Sequence, residues 1–107
     1  DSALLKFGAK SHLLNAGLCT LAQGKYDEAE EALSRFRDMD YTFADSREGK
    51  LLEELTAAAK DLDSERFTDA VYGYDQISKL DAWKTTIMLR IKTSITDAAD
   101  KPIDISQ

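Results

Sequence analysis

The chain has 107 residues, 43% of them apolar and 32% charged, which are the proportions of one folded domain rather than of a disordered segment. Its formal charge of −6 disfavours nucleic acid or anionic lipid as a partner of the surface as a whole. No apolar run approaches the roughly 18 residues of a membrane span, and a lone cysteine forms no internal disulfide, so a cytosolic protein is the simplest fit. The opening Asp1-Ser2-Ala3 carries neither an initiator methionine nor a leader pattern and reads as the interior of something longer.

Apolar residues recur every three or four positions along most of the chain, the period of a helix, and the only proline is Pro102. The spacing predicts a first helix over 3–22. Its apolar residues, among them Leu13, Leu14, Leu18 and Leu21, go most of the way round, as in a helix covered on more than one side. Gly24 is placed to close it as a left-handed cap. A second helix over 25–39 carries Tyr26, Ala29, Leu33 and Phe36 inward, with its acids gathered at the N-terminal end where the helix dipole favours them. The pattern breaks from Met39 to Phe43. Asp45-Ser46-Arg47-Glu48 then reads as a helix start in which Asp45 caps and Glu48 reaches back. The third helix carries Leu51, Leu52, Leu55, Ala58, Ala59 and Leu62 inward, and Asp63-Ser64-Glu65 reads as a turn. The fourth carries Phe67, Ala70, Val71, Tyr74 and Ile77. Asp81 caps a fifth, whose stripe is Trp83, Ile87, Ile91 and Ile95. These short connections imply antiparallel neighbours in one helical domain over 1–96, followed by a flexible tail over 97–107.

There is an internal echo. Gly24-x-Tyr26-x-x-Ala29 recurs as Glu65-x-Phe67-x-x-Ala70, and each copy follows a helix with adjacent small residues, Ala16-Gly17 and Ala57-Ala58. Small residues admit a close helix approach and the aromatic fills the gap, the logic of a tetratricopeptide-like repeat. Two ordinary helical hairpins account for the same residues equally well.

Little in the chain can carry catalysis. His12 and Cys19 lie two turns apart on one helix, about 10 Å, too far for a nucleophile–base pair. Cys19 reads as a buried structural thiol. Neither residue has partners at a metal-ligand spacing, no glycine-rich phosphate loop exists, and the acids read as solvated helix faces. No enzyme and no cofactor is expected. Basic residues are more informative. Lys84, Arg90 and Lys92 sit in an acid-free stretch over 82–96, either balancing the acidic helices or forming a surface for an acidic partner. Lys6 and Lys10 share a helix face, and Arg47 and Lys50 stand in a first turn, where basic charge opposes the dipole. On charge alone, Glu48, Glu53 and Glu54 neutralise that cluster.

Three stretches resemble the C-terminal part of the soluble NSF attachment proteins. They are Ser2-Ala-Leu-Leu-Lys-Phe-Gly-Ala-Lys10, Phe43-x-Asp45-Ser46-Arg47-Glu48-x-Lys50-Leu51, and the run from Tyr74-Asp75 through Trp83 to Lys92. The resemblance is to the alpha type and its yeast vesicular-fusion relative, and it covers residues 2 to 96. It implies an all-α superhelix of antiparallel hairpins ending in a helical bundle. It implies an adaptor, cytoplasmic and peripheral on vesicle and target membranes, that binds assembled SNARE four-helix bundles of syntaxin and related types. The adaptor would recruit and stimulate the AAA+ ATPase NSF for SNARE disassembly. It also implies that the membrane-touching apolar loop belongs to an N-terminal half absent here. Lys10 and Arg47 match basic contacts to the acidic SNARE surface, with Lys6 and Lys50 beside them. The family tail ends in clustered acids and an Asp-Leu pair. Here the tail is less acidic, and Asp104-Ile105 is its nearest match. Ile105 is expected to do the leucine's work, with Asp100 and Asp104 in support. The alternative is a generic helical-repeat module of membrane trafficking that binds a peptide or serves as scaffold. An acidic-peptide clamp needs converging Lys, Arg and Asn, and Asn15 is the chain's only asparagine.

Overall fold

The structure, a computed structural model, describes the backbone of residues 2–100 and side chains from Gly8 to Asp100. Five helices follow one another: α1 Ser2–Ala22, α2 Tyr26–Met39, α3 Arg47–Lys60, α4 Ser64–Ile77 and α5 Ala82–Asp100. α3 is the central element. It packs against α1, α2 and α4, and more lightly against α5, while α5 closes the other side against α1 and α4. The all-helical class and the antiparallel hairpins are therefore as the spacing predicts.

One backbone motif, used twice, makes these connections short. At the end of α1, the Gly24 amide donates to the Leu21 carbonyl at 2.9 Å and the Lys25 amide to the Thr20 carbonyl at 3.3 Å, with Gly24 at φ +78°. At the end of α3, the Leu62 amide donates to Ala59 at 3.1 Å and the Asp63 amide to Ala58 at 2.8 Å, with Leu62 at φ +53°. Both are paired 5→2 and 6→1 bonds closing a helix through a left-handed residue. The equivalent turns place Leu62 on Gly24, so the repeat is offset by three residues from the echo seen in the sequence. In the structural register Phe67 falls on Ala29, Ala70 on Ala32, Val71 on Leu33 and Tyr74 on Phe36, and all face the core. Apolar positions recur every three or four residues along a helix, so a shift of three still matches like with like.

The core runs along α1 and α3. Leu14, Leu18, Leu21, Leu52 and Leu55 are fully buried, and Ile91 and Ile95 of α5 complete it. Gly17 lets α1 meet α3 closely, because a side chain there would collide with the tip of the buried Leu52. Predicted core positions at the helix ends turn out differently. Leu62 is partly exposed in its turn, and Ile77, the last residue of α4, is 67% exposed. Met88 takes the inner position that the sequence pattern gives to Trp83, which is 46% exposed. The spacing 88-91-95 is as helical as 83-87-91-95, so periodicity cannot choose between them. α5 also continues through Asp97–Asp100, beyond its apolar stripe.

Candidate basic groove and its anchoring loop

The segment between α2 and α3 breaks the apolar pattern but is tightly held. Phe43 is fully buried and meets Phe36 edge to face, with ring centroids 5.9 Å apart at 88°. Asp40 ends α2, and its Oδ1 accepts from the Thr42 amide at 3.0 Å and the Thr42 hydroxyl at 2.6 Å. This is the local turn that a short acidic side chain builds over its own backbone. The other carboxylate oxygen accepts from Lys10 Nζ at 3.1 Å, tying the segment to α1. The hydrogen bonds from Thr42, then that from Lys10, hold the Asp40 carboxyl below its ordinary pKa against the opposing effect of burial.

The N-cap of α3 is Ser46, not Asp45. Ser46 Oγ accepts from the Gly49 amide at 3.0 Å and donates to the Phe43 carbonyl. The buried Phe43 fixes where the chain can turn, and that register gives the cap to the residue three before Gly49. Gly49 is required there, since a side chain would collide with the Phe43 carbonyl. Glu48 then points away from the cap, and its Oε2 accepts from the Tyr74 hydroxyl at 3.3 Å. Burial first, and then Glu48, raise the Tyr74 phenol above its usual pKa.

This geometry puts Arg47 and Lys50 on the exposed first turn of α3, at the rim of an open groove between α3 and α4. The groove is about 240 Å³, with Leu51, Ala70, Tyr74 and Ile77 among its walls. Glu54 and Asp69 also line it. Glu54 is taken up by Arg66 through contacts of 3.1 and 3.2 Å, which lower its pKa. Arg47 and Lys50 make no ion pair among the described residues. The groove therefore combines an apolar floor with two unpaired cations, an arrangement suited to an amphipathic acidic helix.

The predicted basic contacts thus divide. Arg47 and Lys50 share one groove. Lys10 is tied to Asp40, with side-chain exposures of 18% and 16%. The Lys6 side chain, Asp104 and Ile105 lie outside the described residues, and Asp100 is the exposed last residue of α5. Lys92 stands at a second cleft, about 200 Å³, between α4 and α5, with Phe67, Val71, Met88 and Leu89. Cys19 is exposed rather than buried, because α1 turns its leucine face inward and leaves position 19 outside. His12 is exposed too, and no group of three or more His, Cys, Asp or Glu among the described residues is placed to hold a metal. The sequence reading missed Asp40. The Asp-x-Thr spacing was its signal, obscured because a break in the apolar period reads only as a loop.

Comparison with known proteins identifies the family. Residues 1–96 match the sequence model of the family described as soluble NSF attachment protein, SNAP. The chain is 51% identical over 95 residues to an alpha-soluble NSF attachment protein of Vitis vinifera, covering 89% of this chain and 33% of the relative. It is 47% identical over 97 residues to a probable vesicular-fusion protein sec17 homolog of Schizosaccharomyces pombe, covering 91% and 34%. It is 44% identical over 95 residues to a beta-soluble NSF attachment protein of Bos taurus, covering 89% and 32%. The chain thus spans about a third of the length of these curated relatives. No solved structure gives a significant match.

Proposed function

This chain belongs to the soluble NSF attachment protein family, and we propose that it forms part of an adaptor that binds assembled SNARE four-helix bundles and brings an NSF-type AAA+ ATPase to them. The observation that carries the proposal is the family match across residues 1–96, together with the chain's similarity to an NSF attachment protein and a probable vesicular-fusion protein. The adaptor serves SNARE disassembly in vesicle-mediated transport. Arg47 and Lys50 face the acidic bundle from the α3–α4 groove. Lys10, with Lys6 one turn away on α1, adds a second basic contact.

Charge complementarity on one face suffices despite the overall charge of −6, since local potential steers docking. Exposed pairs contribute about 0.2–1 kcal/mol each, so several copies around one bundle gain through avidity. Among the described residues no helix is long and apolar enough to cross a membrane. Peripheral membrane contact falls to the N-terminal half that the family resemblance implies. Asp100, Asp104 and Ile105 form the ATPase-engaging end.

The test is retention on an assembled SNARE bundle at low and high salt, in the full-length protein. Wild type is compared with the Lys10→Glu, Arg47→Glu double variant. Retention that salt weakens and charge reversal abolishes is expected. Retention indifferent to the reversals would remove these residues from the contact, and no retention at any salt would favour a scaffold.

A further inference from the structure

Of the proposed basic contacts with described side chains, Lys10 is the one that the structure does not leave free. Its ammonium sits 3.1 Å from Asp40 Oδ2, and both side chains are largely covered. Asp40 is itself anchored, because Thr42 occupies its other oxygen through both amide and hydroxyl. Arg47 and Lys50, on the same side of the proposed reading, have no such partner among the described residues. A cation paired with a fixed carboxylate presents almost no net charge to an approaching acid. A partner carboxylate must either share the ammonium with Asp40, at the cost of like-charge repulsion, or displace it.

We propose that Asp40 is a built-in competitor for the acidic partner, holding Lys10 in the free protein and lowering its affinity for acidic surfaces, most of all for those whose carboxylates are sparse. The proposal rests on Lys10 being a contact, as under Proposed function. Its physical content is selectivity. An isolated partner acid gains little, because it trades one carboxylate for another at the same ammonium. A cluster of partner acids out-competes Asp40, which brings a single charge. The Thr42 bonds keep the carboxylate ionised and in place, so the restraint operates throughout the neutral range. The restraint also falls on one cation only, leaving Arg47 and Lys50 to make the first encounter.

The experiment measures affinity of the full-length protein for an assembled SNARE four-helix bundle, using wild type, Asp40→Asn, Lys10→Met and the double variant. Asparagine keeps an oxygen acceptor for the Thr42 amide, so the turn is preserved. D40N is expected to bind about two- to fivefold tighter at low salt, the range of a single ion pair, with the gain shrinking as salt rises. The gain should vanish in the Lys10→Met background. Unchanged or weaker binding by D40N, while K10M alone weakens binding, overturns this inference and leaves the contact standing. If K10M itself has no effect, the Lys10 contact fails and the inference fails with it. Loss of cooperative melting in D40N overturns it too, since Asp40 would then be a structural counter-ion.

Discussion

Leu62 occupies in the α3–α4 turn the left-handed position that Gly24 occupies in the α1–α2 turn, with the same two closing hydrogen bonds. Glycine adopts that conformation freely, whereas an L side chain pays about 1–2 kcal/mol for it. Leu62 is 37% exposed, and burial of the rest of its side chain offsets part of this cost. Leu62→Gly is therefore expected to stabilise the fold by about 0.5–1 kcal/mol, and Gly24→Ala to destabilise it by about 1 kcal/mol. Thermal melting of the two variants beside wild type checks both signs. A destabilised L62G would mean that the leucine side chain contributes more packing than its exposure indicates.

Two other glycines make a paired prediction, since each lies inside a helix where alanine is intrinsically better by about 0.5–1 kcal/mol. At Gly73 of α4 an added methyl meets nothing within 4 Å, so Gly73→Ala should raise the melting temperature. At Gly17 the methyl meets Leu52, which is fully buried and has no room to withdraw. Overpacking of about 1–3 kcal/mol outweighs the propensity gain, and Gly17→Ala should lower the melting temperature. The same substitution with opposite signs isolates the close approach of α1 and α3.

The helices were legible because their inner residues are large and regularly spaced. Leu13, Leu14, Leu18 and Leu21, or Leu51, Leu52 and Leu55, leave no other reading. What escaped was decided by single contacts rather than by period. The repeat register hung on two turns, one of which puts leucine where glycine is expected. Burial at Met88 rather than Trp83 hung on which of two helical rows faces α1 and α4. Of the candidate site, the basic residues were visible as charges. The pairing of Lys10 with Asp40 was not, because it joins α1 to a loop thirty residues away. The cap moved from Asp45 to Ser46 for a similar reason, as the buried Phe43 sets where α3 can begin.

That cap gives a sharp contrast between neighbours. Ser46→Ala removes the acceptor of the Gly49 amide and should cost about 1 kcal/mol, within the usual range for a lost cap. Asp45→Ala removes an exposed side chain with no recorded bond among the described residues and should change stability by less than about 0.5 kcal/mol. Urea unfolding of both variants decides it. Equal losses would return the cap to Asp45. Because Ser46 sets the first turn of α3, S46A should also loosen the placement of Arg47, measurable as faster amide exchange at Gly49 and Lys50, whose amides bond Ser46.

The depressed carboxyls of Asp40 and Glu54 set the direction of acid sensitivity. Each binds its proton less readily in the folded state than in the unfolded chain, where Asp and Glu titrate near about 3.9 and 4.3. Their stabilising contributions are complete above those values and are lost as pH falls through the lower folded ones. Melting temperature should therefore decline on acidification below about pH 4.5, and D40N or Glu54→Gln should each flatten part of the decline. Salt separates the two. Glu54 and Arg66 are 49% and 39% exposed, and their pairing should fade in about 1 M salt, where screening acts within about 3 Å. Asp40 is lowered first by the Thr42 hydroxyl, a short-range bond within a covered turn, so its share should persist at high salt. Acid sensitivity that vanishes entirely in high salt would show that the Asp40–Thr42 turn contributes nothing to it, and that exposed ion pairs carry the whole effect.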